Sequence, residues 1–253
     1  MNSTEGLISE ILQIAYDMLV MGSEVNRAER NIERMCLAYG VETVEVFVIT
    51  SSIVVSVKDK NGKFYTQTKR IREYKTDFGR LSQIEDLIEF VCRKRPEPEK
   101  IAYRRLQIEK VSEAETGISA KVWTYGNYCC LCMVFTLFFG GDIRAGICSF
   151  FAGFLAKFTT EYMKHTVSNR FVTNMVISIC VAFAACVMSR AGLTEAVDKV
   201  MIGNIMLLIP GLAMINSFKD LAGGDTMSGI LRLAEALVQA AAIALGFVLV
   251  LLL

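Results

Sequence analysis

The residues best placed to do chemistry lie near the C-terminus, where the sequence is otherwise apolar. Pro210-Gly211 interrupts one such run, and Asn216, Lys219, Asp220, Gly223, Gly224, Asp225, Ser228 and Gly229 follow it. Proline has no N–H to donate, so it removes a helix hydrogen bond and frees a backbone carbonyl. A Pro/Gly-broken segment followed by polar residues and a Gly-rich re-entry exposes backbone and helix ends to a ligand at membrane depth. A simple proline kink followed by a short solvated loop fits the same spacing. Beyond it, Arg232, Glu235 and Gln239 recur at three- to four-residue intervals. They share one helix face, and the first two are within pairing reach. Ionisable groups in a span rarely face lipid, so this face is expected to look into a bundle or a water-filled cavity. Arg232 is also close enough to the boundary to snorkel. Asn204, and Asn174 before it, are candidates for either a helix–helix hydrogen bond or a ligand contact. A carboxylate in a low-dielectric cavity is driven towards neutrality, which makes Asp220, Asp225 and Glu235 candidates for carrying a proton.

Other chemistries find little footing. The single histidine, His165, sits in a polar loop, and no nucleophile lies beside a base in a recognisable pattern. Gly62-Lys63 follows a turn without phosphate-loop spacing. Of eight cysteines, Cys129, Cys130, Cys132, Cys148, Cys180 and Cys186 lie in apolar runs, where cysteine acts as a small hydrophobe. Cys36 and Cys92 stand far apart, so neither a metal site nor a cofactor is expected. With 27 Lys+Arg against 26 Asp+Glu, nothing points to nucleic acid as a partner.

The elements that must position these residues fall into two environments. The chain has 253 residues and is 53% hydrophobic, with most of its charge before Lys121 and most long apolar runs after it. Met1 to Glu10 is polar and acidic, so no cleavable signal peptide is expected. Apolar residues from Leu7 to Met21 repeat at helical spacing. Gly22 stops that helix and Ser23 is the expected N-cap of the next, over about Glu24 to Tyr39, which closes at Gly40. Between Thr43 and Arg70 the period changes to two, and Asp59-Lys60-Asn61-Gly62 marks a turn within three predicted strands. Helical spacing returns from Leu81 to Val91, is ended by Pro96 and Pro98, and resumes from Glu99 to about Val111.

The expected fold is therefore a small cytoplasmic α+β domain over 1–117, followed by an α-helical bundle of about five transmembrane helices over 118–253. The predicted spans cover about 122–139, 143–160, 171–188, 200–215 and 230–253. Lys100, Arg104, Arg105, Lys110 and Lys121 precede the first span and Lys164, Arg170 and Lys219 recur on the same side. That bias places the N-terminal domain in the cytoplasm and the C-terminus outside a multi-pass membrane protein of the bacterial inner membrane.

Two blocks carry a resemblance. MGSEVNRAERNIERMCLAYGV and IPGLAMINSFKDLAGGDTMSGILRLAEAL resemble signatures of the threonine/serine exporter family, as does the turn FFGGD. The likeness covers essentially the whole chain. It places Pro210, Gly211, Asn216, Asp220, Gly223, Asp225, Ser228 and Gly229 on the membrane motif, and Glu24, Arg27, Glu29 and Arg34 on the cytoplasmic one. Length and layout are similar to the longer subunit of the split, two-subunit form of the family. The resemblance implies an exporter of threonine and serine or of dicarboxylates such as succinate. It further implies a short, all-membrane subunit of the same family as partner, with a homo-oligomer as the other way to complete an odd bundle. A membrane-anchored cytoplasmic hydrolase or sensor, or a regulatory subunit, remains the alternative. Against an anchored enzyme, one span suffices as an anchor and has no use for polar groups at membrane depth.

Overall fold

The computed structural model of the protein describes residues 3–72, 76–114, 118–164, 166 and 169–252. The expected domain end at residue 117 and His165 lie outside them. In chain order the described elements are α1 (Ser3–Val20), α2 (Val25–Ala38), β1 (Thr43–Ile49), β2 (Ser52–Lys58), β3 (Phe64–Arg70), α3 (Phe78–Lys94) and α4 (Pro98–Ala114). Then follow α5 (Ile118–Phe138), α6 (Ile143–Met163), α7 (Arg170–Arg190), α8 (Val197–Leu208), α9 (Gly211–Ala222) and α10 (Thr226–Leu251). The chain divides into two compact units, Met1–Glu115 with Leu212–Leu233, and Thr116–Gly211 with Ala234–Leu253.

In the first unit the alternating run does what its period requires. β1, β2 and β3 form an antiparallel sheet in that order, with Val46 opposite Val55 and Val55 opposite Gln67. Alternate residues of a strand point to opposite faces, and β2 accordingly buries Ile53, Val55 and Val57 while Val54 and Ser56 remain half-buried. The apolar stripe of α1 (Ile8, Ile11, Ile14, Met18) shares this core with Ile32 and Met35 of α2 and Ile84 and Ile88 of α3. Gly22 closes α1 at φ +97°, a conformation a Cβ would strain. Ser23 does not cap α2. It is buried with its hydroxyl turned to the Glu24 carbonyl, and Glu24 takes the N-cap position without a capping bond from its own side chain. The helix start is capped instead from residues far along the sequence, described below.

The second unit is helical and built on small residues. A Cβ at Gly203 would overlap Thr136 of α5 and come within 2.9 Å of the Cys132 carbonyl, so α8 and α5 meet almost backbone to backbone. Gly153 of α6 likewise faces Cys132, and Gly246 of α10 faces Met175 and Ser178 of α7. The Gly140-Gly141-Asp142 turn leads into α6, whose N-terminal Ala145 amide donates to Asp142 Oδ1 at 2.8 Å.

Two of the described helices, α7 and α10, are long and apolar enough to cross a membrane, or three spans result if the bent pair α8 and α9 counts as one. The expectation of about five is thus met only in part. Helices of 21 residues stand at the first two predicted positions. However, Lys121, Thr124, Tyr125 and Asn127 make α5 more polar, and Arg144, Lys157 and Glu161 do the same for α6. At the predicted fourth span, the residue before Pro210 is extended (Ile209, φ −61°, ψ 129°), as proline sterics demand. Two helices bent by 49° result. At 12 residues each is about 18 Å long, short of the roughly 30 Å of a hydrocarbon core.

Candidate functional site

The polar block after Pro210 folds into an elbow. α9 presents Leu212, Ile215 and Phe218 outward and buries Ser217 and Asp220 on the opposite side. Gly224, at φ +98°, turns the chain, and α10 starts against α9 with no room for a side chain at Gly229, where a Cβ would lie 2.6 Å from Leu221. The Ser217 hydroxyl donates to the Gly229 carbonyl at 2.7 Å and fastens the elbow to itself.

The elbow grips the turn between α1 and α2. Asn216 Nδ2 donates to the Gly22 carbonyl at 2.9 Å and Lys219 Nζ to Glu24 Oε1 at 2.7 Å. The Val25 N–H, first of α2, donates to Asp220 Oδ1 at 3.1 Å. Asp220 thus fills the role that Ser23 was expected to fill. A carboxylate here satisfies an orphan donor and sits at the positive end of the helix dipole. Asn26 Nδ2 reaches the Gly223 carbonyl and the Ser228 hydroxyl reaches the Val48 carbonyl of β1, both at 3.5 Å.

Behind this contact lies a buried ion pair. Asp220 is fully buried, Arg232 has a side chain 8% exposed, and Arg232 Nη1 lies 3.3 Å from Asp220 Oδ2. Among the described residues neither atom has an aligned hydrogen bond, and a third buried atom, Asp225 Oδ2, has none either. Glu29 of α2 accepts the Val48 N–H at 2.9 Å. Burial pushes the Glu29 carboxyl above the ordinary glutamate value. The Val48 bond opposes that push, and the charges of Asp225, Glu33 and Asp220 add to it.

Of the four residues named from the first resembling block, then, Glu24 bonds to the elbow and Glu29 to Val48 of β1. Arg27 and Arg34 turn to α3: Arg27 pairs with Glu85 at 2.6 Å, and with Arg30 both line an open cleft of about 480 Å³. On α10, Arg232 pairs with Asp220 rather than with Glu235. The buried stripe runs Arg232, Ala236, Ile243, Phe247, leaving Glu235 exposed and Gln239 half-buried.

Asn204 belongs to a second polar cluster, inside the helical unit. Its Nδ2 donates to Ser149 Oγ and to the Val200 carbonyl, each at 2.9 Å. Ser149 and Thr136 hydroxyls both donate to the Cys132 carbonyl, at 3.0 and 2.9 Å. Asn204 is thus a helix–helix bond from α8 to α6, with Oδ1 buried and unpaired among the described residues. Pro210 and Gly211 mark the bend, and a Cβ at Gly211 would meet nothing within 4 Å.

Sequence reasoning did not find Ser217, Asn26, Ser149 or Thr136, nor the backbone groups of Gly22, Val25 and Val48. Ser217 and Asn26 sit within the two resembling blocks, and that was the available signal.

The family model described as "Putative threonine/serine exporter" matches residues 10–253. A protein of Klebsiella aerogenes named "Probable succinate transporter subunit YjjP" is similar, at 23% identity over 243 residues that cover 94% of this chain and 90% of that protein. No solved structure matches the chain.

Proposed function

The chain belongs to the threonine/serine exporter family, and we propose that it is one subunit of a secondary-active exporter of small polar metabolites. Its cargo is a small carboxylate-bearing molecule, either an amino acid such as threonine or serine or a dicarboxylate such as succinate. The observation that carries this reading is the elbow, where residues of both resembling blocks meet around the buried Asp220–Arg232 pair. A buried ion pair adds little net stability, so a plain anchor has no use for one. The break at Pro210 supports the same reading, because transporters that work by alternating access are built around interrupted helices, and this pair is bent by 49°.

Five spans, a cytoplasmic N-terminal domain and an outside C-terminus complete the proposal. Large apolar side chains exposed along α5 (Leu131, Val134, Phe138) and α6 (Phe151, Phe154, Phe158) support lipid contact for both helices despite their polar residues. The similar Klebsiella protein is named as a subunit, which supports a short, all-membrane subunit of the same family as partner. Asp220, Asp225 and Glu235 are the carboxylates proposed to carry the coupling proton, and Asn216, Gly223, Ser228, Gln239 and Asn204 line or support the route.

The test is efflux of labelled threonine, serine and succinate from proteoliposomes, with and without the short subunit. Efflux that needs both chains and falls at least tenfold in Asp220→Asn supports the reading. Undiminished efflux in both Asp220→Asn and Glu235→Gln would remove these carboxylates from the coupling. Absence of efflux for all three cargoes with both chains present would overturn the export reading.

A further inference from the structure

We propose that Asp220 is a positioning residue that works as an exchangeable cap: its carboxylate fastens the α9–α10 elbow to α2 in one state and passes wholly to Arg232 in another, releasing the elbow. The latch deepens the export reading, and rests on it only for what the released elbow does.

Two partners already compete for this one carboxylate. Oδ1 takes the Val25 N–H, while Oδ2 lies beside the Arg232 guanidinium without the alignment of a hydrogen bond. Guanidinium and carboxylate are strongest when they meet fork to fork through two parallel bonds. The α2 cap prevents this by holding one oxygen away. Giving up the cap would let Asp220 turn onto Arg232 and satisfy two buried atoms that now lack hydrogen bonds.

The α2 terminus need not stay open in that second state. Glu24 occupies its N-cap position in extended geometry (φ −69°, ψ 147°), but its carboxylate is drawn away to Lys219. Once the elbow lets go, Glu24 can cap its own helix, and Lys219, whose side chain is already 56% exposed, passes into water. Asp220, Arg232, Glu24 and Lys219 therefore each have a partner or solvent in both states, which keeps two arrangements close in free energy. The remaining fasteners are neutral, and two of the three, Asn26 to Gly223 and Ser228 to Val48, are stretched to 3.5 Å. Asp225 adds negative charge near Asp220.

The local geometry allows each state to be imposed. Proline is well suited to the first position of a helix, where it deletes only the N–H. Glu24 already has the extended conformation that a following proline requires. Val25→Pro therefore removes the donor that holds Asp220 and leaves the released state. Asp220→Asn combined with Arg232→Leu does the opposite, because asparagine caps well and no buried guanidinium remains to compete.

The experiment is hydrogen–deuterium exchange on the full chain in lipid nanodiscs, read at the amides of Gly223, Gly224 and Asp225, which are bonded to α9 carbonyls. The latch predicts exchange about fivefold faster or more in Val25→Pro and about fivefold slower in the double variant, with Ile53 and Val55 of β2 unchanged as an internal reference. Wild-type rates in both variants, or slower exchange in Val25→Pro, would overturn it. If Val25→Pro disturbs the β2 amides, the double variant decides alone, and exchange no slower than wild type refutes the latch. Efflux from the same preparations reports on the export reading separately, since the elbow amides respond whether or not any cargo moves.

Discussion

Two buried polar networks, one in each unit, are built from opposite chemistry. At the elbow the groups are charged: Asp220 and Arg232 without aligned hydrogen bonds between them, with Glu29 and Asp225 close by. Between α5, α6 and α8 they are neutral: Asn204, Ser149, Thr136 and a shared Cys132 carbonyl, drawn together by Gly153 and Gly203. Neutral bonds at 2.9 to 3.0 Å with no space between backbones define one arrangement. A charge with two imperfect partners admits more than one. The molecule keeps neutral hydrogen bonds between its closely packed helices and places a buried charge pair at the elbow.

That contrast is sharpest in the cost of breaking each network. Asp220→Ala leaves the Arg232 guanidinium buried without its counter-charge and the start of α2 uncapped. It should destabilise the N-terminal unit by about 3–5 kcal/mol in chemical denaturation. A loss below about 1 kcal/mol would mean that the pair is solvated and the contrast false. Gly203→Val should cost about 1–3 kcal/mol in the helical unit. Thr136→Ala should not rescue it, because the Thr136 amide nitrogen and the Cys132 carbonyl also stand within 3.0 Å of the added Cβ. By comparison Gly211→Ala, with open space around it, should be neutral or slightly stabilising. Asn204→Ala should lose only about 0.6 kcal/mol, the ordinary value of an interhelical hydrogen bond among apolar helices.

The smallest effect is one of sign. The Glu29 carboxyl is raised above its usual value, chiefly by burial. Its contribution to stability is therefore fully present below the unfolded value near 4.5 and is lost as pH rises through the higher folded value. Glu29→Gln keeps the bond from the Val48 N–H but cannot ionise. Its melting temperature should be slightly above wild type at pH 7, and the two should converge towards pH 4. A variant less stable than wild type at pH 7 would show that the Glu29 charge is favourable where it sits.

Much of the first unit was legible because its periods are local. The alternation over Val44–Val48 and Ile53–Val57, with Gly62 in the turn before β3, required nothing distant to become β1, β2 and the β2–β3 connection. The elbow was legible only one side at a time. Asn216, Asp220, Ser228 and Arg232 stood out as polar residues in an apolar stretch, but three of their partners are backbone groups 180 to 195 residues away. A carbonyl or an amide carries no signature in the side-chain alphabet. The pairing of Arg232 failed for a related reason. Helical spacing made Glu235 a neighbour, whereas the tertiary partner Asp220 comes from α9. Equally, nothing local marks Gly203 as a contact point, since its role is set by how closely α5 approaches.

Asp220 reaches Val25 across 195 residues, and that separation sets an order in time. At ordinary rates of synthesis roughly 10 to 40 s pass between the two residues leaving the ribosome. Through that interval the N-terminal unit has its sheet and its apolar stripe but an open end on α2, so this unit is finished last although most of it is made first. A chain stopped before Leu212 would carry every strand and every helix of that unit up to α4, and would still lack its own final hydrogen bonds.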